Sequence, residues 1–272
     1  MSKKDEFFVG YLQTPDGLAR FYKWIIPLLI LLAISASVWT SSSQKGSSQS
    51  ALDLTTERTI TGYLTVDPYP VLHFSGESQR SVILVDEVKK SATEIAAPFA
   101  DQWVSVSGYF VESGDWSLLQ LSASSIFKPT TPRKNTQFQK QKLAEVTLDG
   151  EILDSKCFLG AMKPGYGKVH RACASLCLRG GIPPMFYVKQ PSGNAIAYML
   201  TNPDGSSASI KLAQHVAVPV RLKGQLEQRG DMIYIRLKDN HITPLTGHDL
   251  ASYGQTLARL DEVEEIVSHH QH

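Results

Sequence analysis

The chain has 272 residues, 27 Lys and Arg against 26 Asp and Glu, and three cysteines. With 42% hydrophobic and 19% charged residues it holds enough apolar material for a packed core, which excludes wholesale disorder. A formal charge of +1 offers no global basic field, so no nucleic-acid partner is expected, and three cysteines are too few for a disulfide scaffold. Their odd number leaves at least one thiol free, metal-bound or bonded to another molecule.

In chain order, a tail over residues 1–22 precedes the run WIIPLLILLAISASVW at 24–39, which carries no charge. Trp24 and Trp39 stand where an interfacial aromatic belt would, and Pro27 lies near the first turn, where a missing N–H is tolerated. A transmembrane helix is expected over 23–40. A cleaved signal peptide is the alternative, but the preceding stretch carries Asp5, Glu6 and Asp16, unlike a short basic leader. Lys3, Lys4, Arg20 and Lys23 before the span predict a cytoplasmic N-terminus, with the rest exported and periplasmic in a Gram-negative host. The expected partners are the membrane, through this single span, and a membrane or periplasmic protein.

Residues 41–57 begin with SSSQKGSSQS and read as a tether. Beyond it, VSVSGYFVESGDWSLLQL (104–121) and VRLKGQLEQRGDMIYIRL (220–237) align at an offset of 116, pairing Gly108 with Gly224 and Gly114-Asp115 with Gly230-Asp231. Each reads as a β-hairpin: alternating strand, glycine turn, alternating strand. Upstream, TITGYL (59–64) matches TLDGEI (147–152), with Gly62 opposite Gly150. The two glycine landmarks are 46 residues apart in the first copy and 74 in the second, so the second carries 28 more. A duplicated domain follows.

Strands are expected at 58–66, 69–75, 80–86, 102–112 and 115–122, with a helix over 87–100. Five short strands with a helix between the third and fourth read as an OB-type Greek-key barrel, with a small β-sandwich or SH3-like barrel as the alternative. The expected fold is therefore mainly β: a single N-terminal transmembrane helix, two tandem OB-like Greek-key β-barrels over 58–127 and 144–245, and a C-terminal helix within 246–272. The acid-free stretch 128–143 reads as a basic linker. Leu250, Tyr253, Leu257, Leu260, Val263 and Val267 recur near 3.6 residues, an amphipathic pattern, and His269, His270 and His272 follow in a solvated tail.

All three cysteines, Cys157, Cys173 and Cys177, fall with His170 inside the insertion at 153–184. The spacing is Cys-x12-His-x2-Cys-x3-Cys. VHRACASLCLRGG reads as a short helix ended by Gly180-Gly181 and stopped by Pro183-Pro184. On that helix His170, Cys173 and Cys177 share roughly 60° of arc, and Cys157 arrives from the end of the preceding strand. Three thiolates and an imidazole form the ligand set of a closed tetrahedral site, for which zinc is the expected ion; a Cys3His-ligated [2Fe–2S] cluster or copper(I) are alternatives. A disulfide from Cys157 to Cys173 or Cys177 would leave no metal site. Asp154 is positioned to orient the His170 ring.

The pattern of Gly150, Asp154, Cys157, Gly160, His170, Cys173, Ala174, Cys177, Gly180, Gly181 and Pro183 resembles small exported bacterial OB-like proteins, over residues 146 to 240. That resemblance implies a module with a metal site and no particular reaction. No nucleophile elbow, Walker A loop, His-Glu-x-x-His or dinucleotide fingerprint occurs, and Gly165-Tyr166-Gly167-Lys168 reads as a plain turn. The aromatic residues Tyr63, Tyr69 and Trp116 are expected to pack rather than to stack bases. The expected function is a membrane-anchored, metal-binding accessory or assembly module without catalytic residues. A redox protein using a cluster or a thiol–disulfide centre is the alternative.

Overall fold

The computed structural model describes residues 14–43, 52–75, 79–122, 125, 127–131, 140–189 and 195–253. It divides into two units, residues 1–48 and 49–272. Among the described residues, the first contains one helix, α1 (Asp16–Ser43). It is long and apolar enough to cross a membrane, with none of its most apolar stretch buried in protein. At about 1.5 Å per residue its 28 residues exceed a hydrocarbon core of roughly 30 Å.

The second unit is mainly β and contains two sheets. In the first sheet, β1 (Glu57–Thr65), β2 (Val71–Ser75), β3 (Gln79–Val85), β4 (Gln102–Ser113), β5 (Trp116–Leu121) and β6 (Lys128–Pro129) take the order β1-β2-β3-β5-β4-β6, with β1 also paired to β4. The second sheet is a closed five-stranded barrel of β7 (Lys140–Asp154), β8 (Pro184–Lys189), β9 (Ala195–Thr201), β10 (Pro219–Arg229) and β11 (Met232–Pro244). Corresponding strands pair alike in the two sheets. The opening strand is antiparallel to the second and fourth, and the third is parallel to the fifth.

Equivalent glycines explain part of the sequence repetition. A Cβ on Gly62 would stand 2.5 Å from the His73 carbonyl oxygen, and one on Gly150 would stand 2.5 Å from that of Tyr187. Both copies bring a neighbouring strand too close for any side chain at this point.

The continuous apolar run Val82, Ile83, Leu84 and Val85 is fully buried. Successive side chains in a strand point to opposite faces. Val82 and Leu84 therefore join Leu64, Leu72, Val104, Val106, Leu119 and Leu121 inside the first sheet. Ile83 and Val85, with Tyr69, Val71, Val111 and Leu118, pack into the core of the second barrel beside Ile152, Phe186 and Met199. Tyr69 pins this junction, its hydroxyl donating to the Leu200 carbonyl at 2.6 Å and accepting from the Ala208 N–H at 2.9 Å. Burial pushes that phenol up to about 12.

Helix between the third and fourth strands is shorter than the pattern over 87–100 predicts. It occupies α2 (Thr93–Ala96) and one 3₁₀ turn, Ala97–Phe99. The residues before it form a turn instead, closed by a bridge between Val85 and Ser91 and held by contacts to the other half. Part of the basic stretch at 128–143 is also strand, as Lys128–Pro129 pairs with β4 and β7 opens at Lys140. Two further short helices, α4 (Ser209–Leu212) and α5 (Gly247–Ala251), flank β10 and follow β11. The rest of the expected C-terminal helix and the histidine tail lie outside the described residues.

Candidate metal centre

Fifteen-residue β7 ends at Asp154, and the chain turns there at once. Cys157–Ala161 form a π-type turn, with the Cys157 N–H donating to Asp154 Oδ1 at 2.8 Å. A 3₁₀ turn at Lys168–His170 then leads into α3 (Arg171–Arg179). The helix stops where the Gly-Gly-x-Pro-Pro sequence requires. Gly180 N–H bonds the Leu176 carbonyl at 3.0 Å, Gly181 adopts φ 83°, and Ser155 N–H bonds the Pro183 carbonyl at 3.0 Å. That last bond draws the end of the helix back to the start of the cysteine turn.

The four residues singled out by spacing lie near one another, in two overlapping groups that share Cys157. Cys157 Sγ lies 3.8 Å from Cys173 Sγ and 3.9 Å from Cys177 Sγ. Ligand atoms of Cys157, His170 and Cys173 lie within 4.8 Å of one another, as do those of Asp154, Cys157 and Cys177, so the group can bind a metal ion. Cys157, Cys177 and His170 are buried, and Cys173 is half-buried. A disulfide needs sulfurs at about 2.05 Å, so none is formed.

Asp154 is wholly buried, and both of its oxygens are occupied. Oδ1 takes the Cys157 N–H, and Oδ2 stands 2.8 Å from His170 Nε2. With Nε2 carrying the proton to this carboxylate, His170 Nδ1 keeps a free lone pair. Nδ1 is buried without a hydrogen-bond partner. A buried orphan nitrogen costs about 1–3 kcal/mol unless something accepts its lone pair. A carboxylate on the far nitrogen is also the usual way a metal-ligating histidine is held.

Sequence reasoning missed the contribution of the first sheet. Lys89, in the turn after β3, places Nζ 2.7 Å from Cys173 Sγ and 3.7 Å from Cys177 Sγ. The sulfur of Cys173 pushes its ammonium pKa up. From the other side, buried Lys156 donates to the carbonyls of Asp86 at 2.9 Å and Val88 at 2.8 Å, and burial pulls its pKa down. Ser91 N–H bonds the Gly180 carbonyl at 2.8 Å, and a Cβ on Gly180 would stand 1.7 Å from the Lys89 carbonyl oxygen. Only glycine admits this approach. No local signal in Lys89 announces the role, because it follows from pairing between segments far apart in sequence.

The thiols are unequal. The Cys177 sulfur and burial together push the Cys157 thiol up, while Cys177 is lowered by the hydrogen bond from Cys157.

No protein-family model matches the chain, and neither does any curated protein. Among solved structures, it is similar to a deletion mutant of the single-stranded DNA binding protein from Thermus aquaticus, at 11% identity, over 74% of this chain and 98% of that one, with a TM-score of 0.19. The exclusion of nucleic acid is withdrawn. It rested on the near-neutral charge of the whole chain, the lack of a basic groove and the expected export, and the matched structure is of a single-stranded DNA binding protein. A TM-score of this size assigns no ligand to this chain.

Proposed function

We propose that the protein is a membrane-anchored module built on two OB-like barrels, whose second barrel holds a zinc ion through Cys157, Cys173, Cys177 and His170 Nδ1. The orphaned Nδ1, aimed by Asp154, carries the reading. The spacings from Cys157 agree with it. Four ligands at about 2.3 Å from a tetrahedral zinc have edges of about 3.8 Å, against 3.8 and 3.9 Å from Cys157 to the other two sulfurs; Cys177 shares no group within 4.8 Å with His170 or Cys173, so the ion would draw it closer to them. Charge supports a dication as well. Three thiolates, one divalent ion and Lys89 sum to zero, and Asp154 balances Lys156. A monovalent ion would leave a buried net negative charge, which a low-dielectric site opposes.

The common strand pairing of the two sheets, with its parallel third and fifth strands, supports the OB-like reading and its origin in a duplication. The resemblance to small exported OB-like proteins rests on the Cys/His constellation. Arg20 and Lys23, before the apolar core of α1, support a cytoplasmic N-terminus and an exported second unit. With all four ligands supplied by protein, the centre has no open position for a substrate, as in structural zinc sites. The role is thus an accessory or assembly one, exerted through surfaces that the metal holds in shape.

A second reading draws on the unequal thiols: Cys157 and Cys177, close together with one lowered, suit thiol–disulfide exchange. Metal content and absorption of anaerobically purified protein separate the two. One equivalent of zinc in a colourless protein supports the first. Visible bands bleached by dithionite indicate a cluster, and metal-free protein with a Cys157–Cys177 disulfide indicates exchange chemistry.

A further inference from the structure

Tyr253, the last described residue, lies near the segment that builds the metal centre. Helix α5 is held to the second barrel through Arg221, which bonds Asp149 Oδ1 at 2.7 Å and stands 3.6 Å from Asp249 Oδ2. Tyr253 follows it, and burial, then the charges of Glu151, Tyr187 and Asp149, push its phenol up. Glu151 in turn accepts the Gly167 N–H at 3.0 Å, and the Tyr187 ring stacks on that of Tyr166 at 5.8 Å. The chain therefore leaves α5 near Gly167, two residues before Val169.

The surface that begins there is basic and partly apolar. No acidic residue occurs between Ser155 and Pro184. Lys168, Arg171 and Arg179 are exposed, and none of the three has an ion-pair partner among the described residues. Val169, in the turn before α3, is 83% exposed, and Leu176, on α3, is 55% exposed. Cys173 precedes Leu176 by three residues, which makes them neighbours on the helix surface, and it is half-buried.

The sequence after Tyr253 has the opposite composition. LARLDEVEEIV (257–267) carries Asp261, Glu262, Glu264 and Glu265 against one base, Arg259. Its Leu257, Leu260, Val263 and Val267 recur at helical spacing, so apolar and acidic residues separate onto different faces of a helix. Leu257 is four residues beyond Tyr253, a separation of at most about 14 Å, so no long connection is needed to bring it to Val169.

We propose that residues 257–267 dock in the same chain, as an amphipathic helix, over α3 and the turn before it. Leu257, Leu260, Val263 and Val267 cover Val169 and Leu176, and the carboxylates meet Lys168, Arg171 and Arg179. Complementary charge, complementary apolar faces and the place where the described chain ends favour this occupant over a second copy or a lipid surface. The inference does not depend on which ion the centre holds. Its consequence for the centre is that Cys173, the thiol left half-buried, is covered by the chain itself.

Photocrosslinking of the full chain, in detergent micelles containing phosphatidylglycerol, tests this. The photoreactive residue benzoylphenylalanine is placed at Val169, and for comparison at exposed Asp115 in the turn between β4 and β5. Isotopically light and heavy chains are mixed, so adducts within one chain and between two chains differ in mass. Adducts from 169 to residues 254–268 of the same chain are expected several-fold more often than from 115. Glu264→Lys with Glu265→Lys should cut that yield several-fold, and adding Lys168→Glu with Arg171→Glu should restore it. A circular dichroism melting curve like that of wild type shows that each variant is folded; where the quadruple variant is not, Arg179→Glu replaces its second pair. Adducts of mixed mass, lipid adducts in place of protein ones, equal yields from 169 and 115, or a yield indifferent to the charge changes would overturn the proposal.

Discussion

Lys89 Nζ stands 2.7 Å from Cys173 Sγ, so a turn of the first sheet touches the helix that carries two of the three thiols of the second barrel. The two halves therefore meet at the candidate metal centre as well as through their shared apolar core. An ammonium beside a thiolate neutralises charge and occupies a lone pair that would otherwise attack electrophiles. In the zinc-loaded protein, Lys89→Met is expected to release zinc to a thiol-alkylating reagent several-fold faster than wild type. Release kinetics followed with a chromogenic chelator check this; equal rates would show that the contact shields nothing.

Asp154 acts through His170 and the Cys157 backbone. Asp154→Asn keeps the shape but weakens both hydrogen bonds, and zinc affinity should fall about 10–100-fold, the usual cost of losing such a carboxylate. Cys157→Ser and Cys177→Ser, which remove buried ligands outright, should abolish stoichiometric binding. Competition with a chelator of known affinity measures all three.

Tyr69 tests the junction away from the metal. Tyr69→Phe leaves the Leu200 carbonyl and Ala208 N–H unpaired in the interior. Stability should fall by about 1–3 kcal/mol, the penalty for orphaned buried groups, with zinc affinity unchanged. Chemical denaturation of the loaded protein reads the first quantity, and chelator competition reads the second.

His73 predicts a pH dependence that does not involve the centre. It is buried between β1 and β3, its ring nitrogens 2.9 Å from Thr65 Oγ1 and 2.7 Å from Ser81 Oγ, and burial pulls its pKa down to about 4. Folded His73 thus binds its proton later than the unfolded residue, which titrates near 6.5. Its contribution is complete above pH 6.5 and is lost as pH falls toward 4, by roughly 3 kcal/mol in all. His73→Gln, which does not titrate, should flatten the stability difference between pH 7 and pH 5. A variant with the same slope as wild type would place the acid sensitivity elsewhere.

Much of this was readable from residue pattern because the governing interactions are local. Alternation and glycine turns mark the strands of both halves, and the Gly-Gly-x-Pro-Pro stop defines the end of α3. The helix expected to carry His170, Cys173 and Cys177 on one face carries only the two cysteines, with His170 in the 3₁₀ turn before it. What escaped depends on contacts between distant segments. The helix expected over 87–100 starts only at Thr93, because residues before it turn to meet Gly180, and nothing in EVKKS encodes that partner. Full burial of Val82–Val85 on both faces likewise depends on the second barrel. The expectation about nucleic acid was drawn from whole-chain charge, which averages over local surface.

The central claim is a single ion held by Cys157, Cys173, Cys177 and His170. Its most direct test is elemental analysis combined with a thiol count on anaerobically purified full-length protein, before and after chelation. The account predicts one zinc per chain, three thiols slow to react until zinc is removed, and three reactive thiols afterwards. Metal-free protein with one reactive thiol and a disulfide between the other two would contradict it.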